Sequence, residues 1–85
     1  MTRQELLDLL NNDLMNEYKH MRFYLYHASA ITGFHREELK EFLLKESASE
    51  MKHVTEFSDL IFGLGGKPTT SSSDFTKFED PIEIF

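Results

Sequence analysis

The chain has 85 residues, enough for one domain at most, and its fifteen acidic against nine basic residues give a formal net charge of −6 at pH 7. That balance argues against a nucleic-acid partner, because phosphate contacts need Lys and Arg. The absence of cysteine excludes a disulfide framework, a thiolate zinc site, a cysteine-ligated iron–sulfur centre and a cysteine nucleophile.

Hydropathy sets further limits on the class of protein. No apolar run approaches the roughly 18 residues of a membrane span, and no signal-peptide core follows Met1. We therefore expect a cytoplasmic protein that does not contact a membrane. The eight phenylalanines suit a small core that is completed by partner chains.

The first predicted helix begins at a capping box, in which Thr2 and Glu5 satisfy amide donors that would otherwise lack a partner. Seam residues then recur in steps of three and four, which is the spacing of one helix face. Thr32 and Gly33 end the helix. This first seam consists of Leu7, Leu10, Leu14, Glu17, Met21, Tyr24, Ala28 and Ile31.

The second predicted helix repeats the pattern and stops at Gly65, Gly66 and Pro68. Each helix would be roughly 27–30 residues long, or about 40–45 Å. The predicted fold class is therefore all-α, with a long antiparallel helical hairpin over residues 1–66. The second seam consists of Leu39, Leu43, Glu46, Glu50, His53, Phe57, Leu60 and Leu64.

Residues 67–85 form a separate predicted region. Its first part is rich in Thr and Ser and lacks an apolar period, so we expect an extended polar connection. Asp80 then precedes Pro81, which is typical of a cap and first helical position and predicts the start of a third helix. Either this tail packs in some other way or the chain is the first half of a longer protein, and we favour the second alternative.

Four polar residues, Glu17, Glu46, Glu50 and His53, interrupt the apolar seams. Burying an unpaired carboxylate costs several kcal/mol, so such a group must be paired, neutralised or bound to a metal. If the hairpin bends near Gly33, residues lie level when their numbers sum to about 67, which places Glu17 opposite Glu50 with His53 one turn away. Two carboxylates and an imidazole suit iron, manganese or zinc.

This ligand set is half of the set found in a known type of two-metal site. A four-helix bundle that holds two metals takes one Glu from each of two helices and Glu-x-x-His from each of the other two. One hairpin here offers one Glu and one Glu-x-x-His. Two hairpins related by a twofold axis would complete the set, and the second could be another copy of this chain or two missing helices.

The chain resembles the ferritin-like superfamily, and its bacterioferritin branch most closely. The resemblance spans roughly residues 4–74 and covers the first half of the family's domain, a four-helix bundle. The residues that carry it are Leu10-Asn11-Asn12-Asp13-Leu14 with Glu17, Tyr24-Leu25-Tyr26-His27-Ala28, Glu46-Ser47-Ala48-Ser49-Glu50-Met51-Lys52-His53 and Leu64-Gly65-Gly66-Lys67-Pro68.

The resemblance implies a di-iron ferroxidase centre. Glu17 would be a terminal ligand of one metal, Glu50 a bridging carboxylate, and His53 the imidazole on the same metal as Glu17. Tyr24 would donate an electron or a hydrogen bond near the centre. Met51 stands where bacterioferritins place the ligand of haem b iron at a twofold subunit interface, although methionine is also a routine packing residue.

The chain also departs from the family. The third and fourth helices with their ligands are not in this sequence. Lys45 and Ser49 stand where some bacterioferritins carry His and Asp on the inner cage surface, so an iron-transfer site is not expected there.

Other polar residues receive simpler interpretations. Glu46 lies one turn from Glu50 and is predicted to accept a hydrogen bond from Tyr24 rather than bind metal. His20 follows Glu17 at the Glu-x-x-His spacing but falls on the flank of the seam, so a structural role is favoured. Surface or boundary positions are predicted for His27 and His35, and burial by packing for the off-seam aromatics Tyr18, Phe23 and Tyr26.

The predicted function is oxidation of Fe(II) by O2 or H2O2 for iron storage and detoxification, in a homodimer or a larger cage. One alternative is a rubrerythrin-like peroxide reductase, which would need an outside electron donor because the chain has no cysteine. The other is a non-catalytic helical dimerisation module in which the polar seam residues pair with one another.

Overall fold

A computed structural model describes residues 1–72. It contains two helices of 28 residues each, α1 (Arg3–Ala30) and α2 (Arg36–Gly63), which pack antiparallel. The predicted all-α hairpin and its helix lengths are therefore confirmed. Neither helix is long and apolar enough to cross a membrane. The predicted third helix at Asp80 lies outside the described residues, and the division of the chain after residue 66 stays a prediction.

The start of α1 and the bend follow from local chemistry. The Glu5 amide donates to the Thr2 hydroxyl at 3.1 Å and the Thr2 amide to the Glu5 carboxylate at 3.4 Å, so the predicted capping box is present. After Ile31, Gly33 adopts a φ of 109°, a left-handed conformation that glycine reaches without a side-chain clash. The chain can therefore reverse within a few residues.

A glycine turn follows α2 at the open end of the hairpin, which is the end opposite the bend. The Gly66 amide donates to the Ile61 carbonyl at 3.0 Å, and Gly65 has a left-handed φ of 81°. The guanidinium of Arg3 donates to the Leu64 carbonyl, with Nε 2.8 Å from the oxygen. These contacts tie the start of α1 to the end of α2.

The core consists of two apolar clusters separated by a polar layer. The cluster near the open end contains Leu7, Leu14, Val54 and Ile61, with Leu10, Tyr18, Phe57 and Leu64 packed against it. The cluster near the bend contains Ala28, Ile31 and Leu43, with Tyr24 and Leu39. A carboxylate layer therefore lies between two dry regions of the hairpin.

The second seam was predicted partly wrongly. The structure buries Ser47, Val54 and Ile61, which the prediction left out, whereas Leu60 is 50% exposed and the His53 side chain 45% exposed. The reason is geometric: steps of three and four fit two neighbouring faces of α2, and contact with α1 selects the face that carries Val54 and Ile61. Leu60 and His53 lie on its flank.

His27 was also predicted wrongly, because the structure buries it completely. Its ring nitrogen Nδ1 lies 2.8 Å from the Phe23 carbonyl, and its ring centre lies 4.3 Å from that of Phe23. The aromatic neighbours thus cover the imidazole, whereas His35 is exposed as predicted. Among the off-seam aromatics Tyr18 and Phe23 are partly buried, but Tyr26 remains 43% exposed.

The segment 67–72 returns along α1 toward the bend. Asn11 holds its first part, since its amide nitrogen donates to the Lys67 carbonyl at 3.3 Å and its oxygen accepts from the Thr69 amide at 2.8 Å. Arg22, three turns further along α1, donates to the Ser72 hydroxyl at 2.6 Å. These contacts hold residues 67–72 against α1.

Candidate metal centre

Glu17, Glu50 and His53 meet at the middle of the hairpin, between the two apolar clusters. The register of the two helices brings them together. About one turn from the site, the Ser47 hydroxyl donates a hydrogen bond of 3.2 Å to the Met21 carbonyl and shows this register. Residues whose numbers sum to about 67 or 68 therefore lie opposite each other on the two helices, as we predicted for a hairpin that bends near Gly33. Glu17 comes from α1, and Glu50 and His53 come from α2.

The three side chains offer one donor atom each, and these atoms lie within 4.8 Å of one another. Nδ1 of His53 is 3.4 Å from Oε2 of Glu17 and 3.4 Å from Oε2 of Glu50. Ligands about 2 Å from a shared metal stand roughly 3–4 Å apart, so small side-chain movements would close this set around one ion.

A buried oxygen without a hydrogen bond supports a metal at this point. Oε2 of Glu17 is buried and makes no hydrogen bond within the part of the chain described by the structure, although Nδ1 of His53 lies 3.4 Å from it. A buried acceptor that lacks a donor is costly, and a cation between the carboxylates would remove that cost. The residues present therefore fit a metal of the type that binds oxygen and nitrogen ligands.

The carboxylates and the imidazole share protons in the absence of a metal. A hydrogen bond with Glu50 raises the pKa of Glu17, and burial and the charge of Glu50 add to this. Burial also raises the pKa of Glu50, but its hydrogen bonds with Glu17 and His53 and the charges of His20 and His53 outweigh that effect and lower it. Of the two carboxyls, Glu17 is therefore the weaker acid.

The imidazole of His53 is tuned by the same carboxylates. Its hydrogen bond to Glu50 raises its pKa, helped by the charge of Glu17, although desolvation acts in the opposite direction. The two carboxylates therefore favour the protonated form of the imidazole in the metal-free site. A divalent cation would compete with protons for these groups.

Tyr24 lies partly buried on the bend side of the site. Burial raises the pKa of its phenol, and the charges of Glu46 and Glu50 raise it further. The phenol is therefore protonated and close to both carboxylates. The predicted hydrogen bond between Tyr24 and Glu46 is not formed, although the two groups are neighbours.

Met51 and the two positions that depart from the resembled family lie elsewhere. Met51 is 57% exposed, and its carbonyl accepts a hydrogen bond from the Thr55 hydroxyl. Lys45 pairs with Glu41 at 3.3 Å, and Ser49 is exposed. None of these side chains belongs to the group formed by Glu17, Glu50 and His53.

The interpretation of the sequence missed the influence of His20 on the site. His20 is exposed, as its predicted flank position implies, yet its charge acts on the Glu50 carboxylate of the other helix. A usable signal is present in the sequence, because Glu-x-Lys-His occurs once in each helix, at residues 17–20 and 50–53.

Comparisons with known proteins agree with this geometry. The family model described as a ferritin-like domain matches residues 7–85. A solved structure of ferritin-like, diiron-carboxylate proteins from Bacillus anthracis str. Ames superposes with a TM-score of 0.87 at 34% sequence identity, covering 94% of this chain and 59% of that one. The chain thus spans less than two thirds of that structure's length, and no protein with curated function matches it.

Proposed function

Because the chain belongs to the ferritin-like domain family, we propose that it is a di-iron carboxylate protein that oxidises Fe(II) with dioxygen or hydrogen peroxide and serves iron storage and detoxification. The observation that carries the proposal is the meeting of Glu17, Glu50 and His53 around an unsatisfied buried carboxylate oxygen. A close relationship to bacterioferritins and a cytoplasmic location stay predictions.

A second hairpin would complete the proposed site. The half-exposed His53 and Leu60 lie on the same flank of α2, which leaves an imidazole and an apolar side chain open to a neighbour. The ligand count also points to a second unit, since two metals in a four-helix bundle use four Glu and two His. We propose that a second copy of this chain, or further helices, covers this face, in a homodimer or a larger cage.

The protein residues would divide the work of the site as follows. Glu17 would hold one metal as a terminal ligand together with His53, and Glu50 would serve as the bridging carboxylate. Two bound Fe(II) ions would each lose one electron, and dioxygen would take up these two electrons and two protons to become hydrogen peroxide; with peroxide as oxidant the product would be two waters. Hard carboxylate ligands favour the Fe(III) product.

Tyr24 would assist this reaction as a hydrogen-bond donor or an electron donor. Its protonated phenol lies close to the Glu46 and Glu50 carboxylates. We expect Tyr24→Phe to bind metal as the wild type does but to oxidise Fe(II) more slowly.

Haem b on Met51 is a separate proposal. Its support is the exposure of Met51, which leaves the side chain open to contact by a second copy of the chain. Haem titration should give a Soret spectrum of bis-methionine ligation in the wild type and not in Met51→Leu. Identical spectra of the two proteins would remove haem from the account.

The ferroxidase proposal is tested by Fe(II) oxidation kinetics. Under dioxygen or peroxide, the wild type should form Fe(III) faster than protein-free buffer, and Glu50→Gln should lose that acceleration because a bridging ligand is gone. Glu56→Gln is a matched control, since Glu56 is exposed on the same helix. Equal rates in Glu50→Gln and wild type would contradict the proposal, and sustained peroxide reduction with an external electron donor would assign the rubrerythrin-like activity instead.

A further inference from the structure

Four ring-bearing side chains of α1 form a continuous row of contacts, which we call the aromatic row. The centre of the Tyr24 ring lies 5.5 Å from that of Phe23, and the Phe23 ring lies 4.3 Å from the His27 imidazole. That imidazole lies 5.0 Å from the Tyr26 ring. Rings at these separations are packed against each other, so the row links two tyrosines through rings in contact.

The two ends of the aromatic row lie in different surroundings. Tyr24 is partly buried and follows Glu17 by two turns on the same face of α1, about 10 Å along the helix axis. Long side chains of a helix lean toward its N-terminus, which extends the Tyr24 phenol toward Glu17. At the other end Tyr26 is 43% exposed, whereas His27 between them is completely buried. The row thus runs from the metal centre to the protein surface.

We propose that the aromatic row carries an oxidising equivalent from the metal centre to Tyr26, where a small external reductant removes it. The inference rests on the proposed function and deepens it, because it adds a class of reductant and the residue that this reductant contacts. The two phenols are the oxidisable groups of the row. Phe23 and His27 form the packed bridge between them.

Such a route is needed when hydrogen peroxide meets a centre that can give one electron. Peroxide takes two electrons and two protons, its O–O bond breaks, and two waters form. One electron comes from Fe(II), which becomes Fe(III), and the other comes from Tyr24, whose phenol also loses its proton and becomes a neutral radical. Tyr26 then gives an electron to Tyr24 and its own phenolic proton to water, while Tyr24 takes up a proton. An enediol such as ascorbate finally gives a hydrogen atom to Tyr26.

Electron paramagnetic resonance tests this transfer in the full chain. The protein is loaded anaerobically with a single equivalent of Fe(II), mixed with hydrogen peroxide and frozen at increasing times. The wild type should show a tyrosyl radical whose lifetime ascorbate shortens, and Tyr26→Phe should lose this effect of ascorbate because its remaining radical is partly buried. Tyr18→Phe is the control, since Tyr18 is the third tyrosine and packs against Arg22 outside the row.

The outcomes separate this inference from the proposed function. Equal shortening by ascorbate in Tyr26→Phe and wild type, or Fe(II) oxidation without any tyrosyl radical, would overturn the inference and leave the ferroxidase proposal intact. A wild-type protein that neither binds nor oxidises Fe(II) would overturn both.

Covalent cross-linking supplies an independent readout. Without ascorbate, surface radicals on two molecules should join through a carbon–carbon bond as dityrosine, which peptide mass spectrometry should assign to Tyr26. Tyr26→Phe should lose these cross-links and Tyr18→Phe should keep them. Phe23→Leu, which retains both phenols of the row, should also lose them because the bridge is broken. Cross-links that map to Tyr18, or equal cross-linking in Phe23→Leu and wild type, would overturn the inference.

Discussion

At the scale of single residues, the centre of the hairpin carries acidic side chains that destabilise the fold but can bind a metal. Glu17 and Glu50 are partly buried acids that face one another between two apolar clusters. The His53 imidazole, 3.4 Å from both carboxylates, offsets part of the cost of burial, and one carboxylate oxygen still makes no hydrogen bond. An apolar pair would pack better, so the arrangement is best explained by a bound cation.

The pKa shifts predict how metal affinity depends on pH. In the metal-free protein the pKa values of Glu17 and His53 are both raised, so each holds its proton to a higher pH than usual, and a metal must displace it. Zn(II) affinity should therefore increase as the pH rises and level off above the raised pKa of His53. Calorimetry in buffers of different ionisation enthalpy would measure the released protons, and a pH-independent affinity without proton release would contradict the assignment.

The raised pKa of His53 gives the stability of the metal-free fold a pH dependence opposite to that of metal affinity. Because its folded-state pKa is raised, His53 contributes stability that is fully present below its unfolded pKa and is lost as the pH rises through the folded value. Metal binding and metal-free stability should thus respond to pH in opposite directions. Removing the imidazole in His53→Ala should flatten both responses.

Replacing Glu17 by Gln separates ligand loss from unfolding. Because the hydrogen bond with Glu50 and burial raise the pKa of Glu17, they favour its neutral form, and a neutral amide of the same shape should leave the metal-free melting temperature no lower than that of the wild type. The rise in melting temperature that bound metal causes should be lost. Thermal unfolding of both proteins with and without Zn(II) measures this, and an equal rise in both would count against Glu17 as a ligand.

At the scale of elements, the open end of the hairpin depends on the glycine turn, which packs closely against the core. A side-chain carbon added at Gly66 would lie 2.7 Å from Leu7 Cδ2 and 3.2 Å from Ile61 Cγ2, both of which belong to buried residues. The site for such a carbon at Gly63 has nothing within 4 Å. The two glycines therefore differ in what they permit.

Alanine at these two positions should act in opposite directions. Gly66→Ala should lower the free energy of unfolding by about 1–3 kcal/mol through overpacking against Leu7, whereas Gly63→Ala should raise it by about 0.5–1 kcal/mol as a better helix former. Urea denaturation of both variants measures the difference. If Gly66→Ala were as stable as Gly63→Ala, the close contact between Gly66 and Leu7 would be contradicted.

Some of these elements could be predicted from the sequence and others could not. The Thr2 capping box and the glycines at each helix end are local signals, and the structure bears them out. The choice between His53 and Val54 on the second seam depends on contact with α1, which a pattern of steps of three and four does not contain. The burial of His27 depends likewise on aromatic neighbours such as Phe23.

At the scale of the whole molecule, the hairpin leaves apolar surface uncovered. Leu60 is half exposed on the flank that also carries His53, and Leu9 is equally exposed on α1. The meeting of Glu17 with Glu50 followed from the sequence because two long helices and one bend fix the register. The proposed second unit would cover this face, and the periodicity of one hairpin carries no information about that partner.

Assembly of two hairpins predicts a specific effect of charge on this flank. Leu60→Lys should shift the protein toward monomer and weaken metal binding, because the lysine would be buried beside the proposed site when hairpins meet. Leu9→Lys is the matched control, since both leucines are 50% exposed. Sedimentation equilibrium gives the oligomeric state, and equal dissociation of both variants would argue against the His53 flank as the interface.

The most direct measurement is metal counting by native mass spectrometry after anaerobic loading with Fe(II). We expect at least one iron per hairpin in the wild type and loss of that iron in Glu50→Ala, because this variant lacks the carboxylate that both Glu17 and His53 contact. A wild-type protein that binds no iron, or a Glu50→Ala protein that keeps the full complement, would contradict it.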